Sequence, residues 1–256
     1  MRAETIFDAP LNERPICRRT VLAAGLAAPA LWGVGGLTFG RVEAATIPDA
    51  AEIPFRVVRG NGRDIGFHRL SFDRQGDTVT VDIEIAIDIR IGFIPVFRYR
   101  HRNQERWRGD VLEALQSTTD DNGTAYEVRL EQDGAGRYRL TRNDEQSQIT
   151  GPVLPTSYWR AETVGATQLL DTQRGVIREV TTRKAAEEVI TVAGQPVRAH
   201  RYRMAGDLDL DLWYSQAGQW VKLAFSARGV DIAYALDGTL SANPSRPITS
   251  FVADLG

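Results

Sequence analysis

The chain has 256 residues, 43% hydrophobic and 25% charged, with 23 Gly, 11 Pro and a single Cys. Those proportions exclude disordered, collagen-like and disulfide-stapled proteins. With 31 basic against 33 acidic residues there is no basic field for nucleic acid, and the lone Cys17 leaves no structural disulfide or Cys-based zinc site downstream.

Residues 1–44 read as an address. Arg18-Arg19 stand just before Val21–Gly40, a run without charge that holds five Gly and is therefore only weakly hydrophobic. Paired Arg before such a run is the pattern of a twin-arginine export signal. Val42-Glu43-Ala44 puts small residues where a signal peptidase reads them, so cleavage is predicted after Ala44. A retained anchor is the alternative; Cys17 precedes the apolar run and is not a lipoprotein acylation site. Cleavage leaves 212 thiol-free residues with 26 basic and 29 acidic side chains, a net charge of −3. A thiol-free chain suits an oxidising compartment, so the expected location is periplasmic or secreted. The expected partner in transit is the twin-arginine export machinery, with no stable transmembrane span afterwards.

Residues 45–54 read as a short tether, 55–237 as a single β-rich domain, and 238–256 as a C-terminal tail. Within the domain the period is two. Val79, Val81, Ile83, Ile85, Ile87, Ile89 and Ile91 alternate with Thr80, Asp82, Glu84, Ala86, Asp88 and Arg90. Since successive side chains of a strand point to opposite faces, this is a long half-buried strand. Before it, Phe55–Arg59 and Asp64–Phe72 flank Gly60-Asn61-Gly62, a hairpin turn. After it come Phe93–Arg102, with Gly92 and Pro95 marking a bulge, then Val111–Thr118, Tyr126–Gln132 and Tyr138–Arg142. Beyond a break at Gly151–Pro155 a helix is predicted from Tyr158 to about Leu170, capped by Thr156 or Ser157. Strands resume at Val176–Arg183, Glu188–Val192, Val197–Met204, Leu208–Tyr214, Trp220–Ala227 and Val230–Leu236. The expected fold class is all-β with one helix: an antiparallel meander forming a curved sheet, half-barrel or open barrel around that helix. Residues 55–150 and 171–236 are candidates for the two sheets of a sandwich.

His101-Arg102-Asn103-Gln104-Glu105-Arg106-Trp107-Arg108-Gly109, Asp64-Ile65-Gly66-Phe67-His68 and Leu212-Trp213-Tyr214 with Gly218 and Trp220–Leu223 carry a resemblance. Over about residues 55–236 the chain resembles a family of exported bacterial proteins known only as a domain of unknown function. More distantly it is similar to periplasmic β half-barrels of the lipoprotein- and lipid-carrier kind. The resemblance implies a half-barrel in the cell envelope and assigns no catalytic residue.

Three His occur, His68, His101 and His200, without a metal-ligand spacing, and no metal or other cofactor is expected. His101 shares a predicted face with Phe93, Phe97 and Tyr99. Arg98, Arg100 and Arg102 occupy the other face, either to bind an anion or to pair with Asp82, Glu84 and Asp88 across a hairpin. Asp207, Asp209 and Asp211 form a straight row, unlike a calcium loop. No nucleophile elbow, phosphate loop or dinucleotide fingerprint appears. Tyr99, His101, Trp107, Tyr158 and Trp159 are therefore candidate contacts for an apolar or amphipathic small molecule or lipid held in the concave sheet, with Trp213 and Trp220 as further wall residues. A second class is a cofactor-independent isomerase, cyclase or hydrolase with His68, His101, Glu105 and Tyr158 as acid/base candidates. A third is a structural component of an envelope complex, which would expose an apolar patch.

Overall fold

The period-two pattern is realised as strands throughout. The computed structural model describes residues 51–238 apart from 135 and 228, so the segment expected to be an export signal and nearly all of the expected tail lie outside the described residues. The first eight strands are β1 (Glu52–Arg59), β2 (Asp64–Gln75), β3 (Thr78–Ile91), β4 (Ile94–Arg108), β5 (Val111–Asp121), β6 (Thr124–Gln132), β7 (Arg137–Arg142) and β8 (Glu145–Thr150). Residues 151–175 then cross the molecule and contain β9 (Gln168–Asp171). The chain returns through β10 (Val176–Val192), β11 (Gln195–Gly206), β12 (Leu210–Ser215), β13 (Trp220–Ala227) and β14 (Val230–Leu236).

All fourteen strands join in one antiparallel sheet, ordered β8-β7-β6-β5-β4-β3-β2-β1-β14-β13-β12-β11-β10-β9. The two-sheet expectation fails at one place: β1 pairs with β14, from Phe55 opposite Leu236 to Arg59 opposite Ile232, zipping the two halves together. The sheet is curled and unclosed, since β8 and β9 are its ends and do not pair. The curl brings the turn after β9 back to the far half, where Arg174 lies over the Tyr126 ring at 5.4 Å.

Inward residues of β3, Val79 through Ile87, are buried together with Phe55, Leu70, Trp107, Leu212, Trp220 and Tyr234 in one core filling the concave face. One close approach matters here. A Cβ on Gly66 would stand 1.9 Å from the Ala86 carbonyl oxygen, so only glycine permits the β2–β3 pairing at that point. On the convex face the charged ladder forms as pairs: Arg100–Asp88 at 2.7 Å, Arg102–Glu84 at 3.4 Å and Gln104–Asp82 at 2.7 Å. Arg98 turns instead to Asp120. Asp209 and Asp211 pair with Arg203, and Asp207 accepts the Glu179 amide, so this row is engaged.

The helix predicted after Tyr158 is absent; the only helical element among the described residues is a 3-10 turn at Ala161–Gly165. Thr163, Val164, Gly165 and Thr167 are poor helix formers, and the backbone finds better partners in strand geometry. Leu170 donates to the Leu154 carbonyl and Thr156 donates to the Leu170 carbonyl, a short parallel bridge across Pro155. β1 also starts earlier than expected, inside the supposed tether, because Glu52 and Ile53 pair with Ser71 and Leu70. Phe93 does not share a face with His101. The bulge opposite Ile89–Arg90 puts it in the turn, 97% exposed.

Candidate functional site

The concave face of β4 is unusual for a sheet interior. Its inward residues run Phe97, Tyr99, His101, Asn103, Glu105, Trp107, and all are buried. Ser117 and Thr119 of β5 extend this polar stripe. Buried polar groups need partners, and most of these find them on the crossing segment 151–175, which lies in the trough as a strap. Ser117 donates to the Thr172 carbonyl, and the Thr119 hydroxyl donates to the Gln173 carbonyl at 3.3 Å. From the other half, the Tyr214 hydroxyl donates to the Tyr158 carbonyl at 2.8 Å. The strap is thus fastened to both halves of the sheet.

Glu105, fully buried, is the strongest fastening. Its carboxylate accepts Asn103 Nδ2 at 2.9 Å, Trp107 Nε1 at 2.9 Å, Trp159 Nε1 at 3.0 Å and a bond from Ser157. Burial pushes its pKa up while these four donors pull it down, with burial the larger effect. Arg160, itself buried, stacks over Trp107 at 4.4 Å and Trp159 at 5.4 Å and pairs with Asp110 at 2.7 Å. Glu105, Trp107 and Trp159 therefore form a lock on the strap.

Beside this lock is a cavity of about 40 Å³. Its polar lining includes His68, His101, Asn103, Tyr158, Asp171 and Tyr234, and Ile83, Ile85, Leu210 and Leu223 supply apolar walls. One water needs roughly 10–15 Å³ on this measure, so the space suits about three waters or one small organic group, and no acyl chain. His68, Ile85 and His101 are register partners across β2, β3 and β4. Two strand spacings of about 4.8 Å put the two histidines roughly 10 Å apart on the same face.

The two rings differ in their bonding. His101 Nδ1 lies 2.8 Å from Thr119 Oγ1, whose own proton goes to Gln173, so Nδ1 carries the hydrogen. His101 Nε2 then accepts from Thr172 Oγ1 at 3.3 Å, and the ring is saturated. His68, only 3% exposed, is wedged against Trp220 at 5.3 Å and Tyr234 at 5.4 Å. Among the described residues neither of its ring nitrogens has a hydrogen-bond partner. Burial lowers both pKa values to about 3, with repulsion from His101 adding to the effect on His68, so both rings are neutral at pH 7.

Residues 55–237 match the family described as Domain of unknown function (DUF6134). The chain belongs to that family. No curated protein matches it. The DUF6134 chain is also similar to the crystal structure of a beta-barrel-like protein of domain of unknown function DUF1849 from Brucella abortus. That likeness has a TM-score of 0.54 at 8% identity and covers 72% of this chain and 94% of the other, which makes it a likeness of fold.

In this DUF6134 domain His68, His101 and Tyr158 meet at the cavity, and Tyr99 stacks beside His101 at 6.4 Å. Glu105, Trp107 and Trp159 do not line it; they form the adjacent lock. Trp213 faces the convex side, beneath Lys222 at 4.4 Å and bonded to Glu188, so it is no wall of the trough. His200 lies on β11 beside Glu187, away from the cavity lining. Asn103, Thr119, Thr172 and Tyr234 were missed. The first lies beyond the end expected for its strand, because Arg100–Arg106 is almost wholly polar and its inward parity is invisible as hydrophobic alternation.

Proposed function

We propose that the chain is an exported envelope protein that holds a small, uncharged, partly apolar molecule in the cavity between β2–β4, the strap and Tyr234. The observation that carries this reading is His68, a buried imidazole in a largely apolar cavity whose two nitrogens lack partners among the described residues. Leaving such groups unsatisfied costs about 1–3 kcal/mol each, so an occupant that bonds them is favoured. The size of the cavity supports a compact molecule or one polar end of a larger ligand; a lipid tail would require the strap to move. Tyr158 supports such movement, since it sits at the cavity with φ 59, a conformation a bulky residue adopts only at a cost.

The enzymatic alternative is the weaker one. A general base works best with a pKa near the working pH, and burial holds both histidines near 3. Glu105 is consumed by its four donors. Attachment to another envelope component draws support from the β3–β4 turn, where Phe93 and Ile94 are 97% and 67% exposed and Val96 is also exposed. Native mass spectrometry of the exported protein, purified gently from its own host, separates these readings. A bound small molecule released on denaturation is expected; a ligand-free protein that co-purifies with a stoichiometric protein partner would favour attachment.

A further inference from the structure

We propose that the cavity recognises a primary carboxamide or urea-type group, one that donates two hydrogen bonds and accepts one, in preference to anions, cations and groups that only accept. The inference rests on the reading of the cavity as a binding site and names the chemistry of its occupant.

Two cavity-lining residues hold three buried atoms without partners among the described residues: His68 Nδ1, His68 Nε2 and Asn103 Oδ1. Their roles are fixed by their neighbours. Asn103 keeps Oδ1 as its unpartnered atom, because its Nδ2 donates to Glu105 Oε1 at 2.9 Å and a carboxylate only accepts. That oxygen requires a donor. A neutral imidazole has one N–H and one bare nitrogen, so His68 requires one acceptor and one donor. The two ring nitrogens point away from each other, so one small group meets Asn103 Oδ1 and one of them: it must give Asn103 a donor and give His68 either an acceptor or a second donor. A –C(=O)NH₂ group can do either, whereas a hydroxyl has a single donor and a ketone has none for Asn103.

Charge is disfavoured from both directions. An anion would face the Asn103 carbonyl and the Asp171 carboxylate with no free cation in the lining. Arg178 is the nearby candidate, and it is held on Asp171 Oδ2 by Nε at 3.0 Å and Nη2 at 2.7 Å. A cation gains nothing from Asp171, whose Oδ1 already accepts the amides of Gln173 at 2.8 Å and Arg174 at 3.2 Å. Ile83, Ile85, Leu210 and Leu223 offer no compensation for lost hydration of either charge.

The test uses four probes of equal size on the exported protein: acetamide, acetate, acetone and guanidinium. Their binding is followed by shifts of the His68 ring and the Trp220 indole in NMR spectra. For ligands this small, affinities on the order of millimolar are expected. Acetamide should saturate and bind at least tenfold more tightly than the other three, and H68F should lose that preference. The ranking in the wild-type protein needs no variant, so a poorly folded H68F leaves the test intact. Equal binding of all four, preference for acetate or guanidinium, an acetamide effect unchanged in H68F, or no saturable binding would each overturn the inference. Failure here is distinct from failure of the binding reading. A co-purified molecule without an amide or urea group would sink the inference and leave the binding reading standing. Protein that carries nothing from its host and binds none of the four probes saturably would sink the binding reading itself.

Discussion

Acid should unfold this protein through His68 and His101, and replacing His68 by Phe should remove about half of that sensitivity. Both rings are buried neutral, with pKa values of about 3 against 6.5 when exposed, chiefly because burial disfavours the charged form. The unfolded chain therefore takes up protons below pH 6.5 that the folded chain refuses until about pH 3. The stability due to the neutral rings is complete above pH 6.5 and is lost as the pH falls through that window. Each pH unit removes about 1.4 kcal/mol per histidine, so roughly 5–6 kcal/mol is lost by pH 4.5 from the pair. A domain of this size has on the order of 5–15 kcal/mol to lose, which puts acid unfolding near pH 4–5. Urea unfolding followed by tryptophan fluorescence at pH 7.5, 6.5, 5.5 and 4.5 measures this directly. Wild type should lose about 3 kcal/mol more stability over that range than H68F. Glu105 acts in the opposite sense, since burial raises its pKa and its deprotonation as the pH rises weakens the fold. It is present in both proteins, so their difference isolates His68. At neutral pH H68F should be at least as stable as wild type, because the ring it introduces has no polar atoms to satisfy. Parallel pH curves for the two proteins, or a wild-type loss below about 1 kcal/mol, would refute the assignment of a buried neutral His68.

E105L strands four buried donors and should cost about 4 kcal/mol, lowering Tm by roughly 8–16 °C in calorimetry, with E105Q less affected because one acceptor remains. G66A drives a Cβ into the Ala86 carbonyl and should cost about 3 kcal/mol or abolish soluble expression, whereas G62A in the exposed hairpin turn should cost about 1 kcal/mol. The double variant F93S/I94S should leave Tm within about 1 °C of wild type, since neither side chain packs on the core. Replacing Arg18-Arg19 with two Lys should leave precursor inside the cell, as judged by fractionation and immunoblot; unchanged export would remove the twin-arginine reading.

How much of this was legible depended on which force wrote the pattern. The Ile-rich alternation of 79–91 and the glycine turns announced the strands because burial on one face acts residue by residue. Val176–Arg183 and Glu188–Val192 read as two strands and are one, β10, with a bulge at Lys184–Ala186 that interrupts the alternation. Glu145–Thr150 left no signal, since an exposed edge strand of Glu, Gln and Ser needs no apolar face. The β1–β14 seam joins residues nearly the whole domain apart, and nothing local encodes such a pairing.

The site was half legible for the same reason. His68, His101 and Tyr158 stood out as rare or aromatic residues, and they meet at the cavity. The different conditions of the two histidines were not readable. His101 is saturated by Thr119 and Thr172, which lie on separate segments brought together by the strap, and His68 has no such neighbours. Glu105 stood among the acid/base candidates of the enzymatic reading. Its role as the lock appears only once Trp159 crosses the trough to reach it.

The most direct measurement is a crystal structure of the protein purified from its own host, at a resolution that separates water from organic density. Density for a non-water molecule hydrogen-bonded to His68 and Asn103, flanked by Ile85 and Tyr234, is the predicted result. Ordered waters alone on those atoms, in a cavity no larger than about 40 Å³, would contradict the claim that this trough holds a ligand.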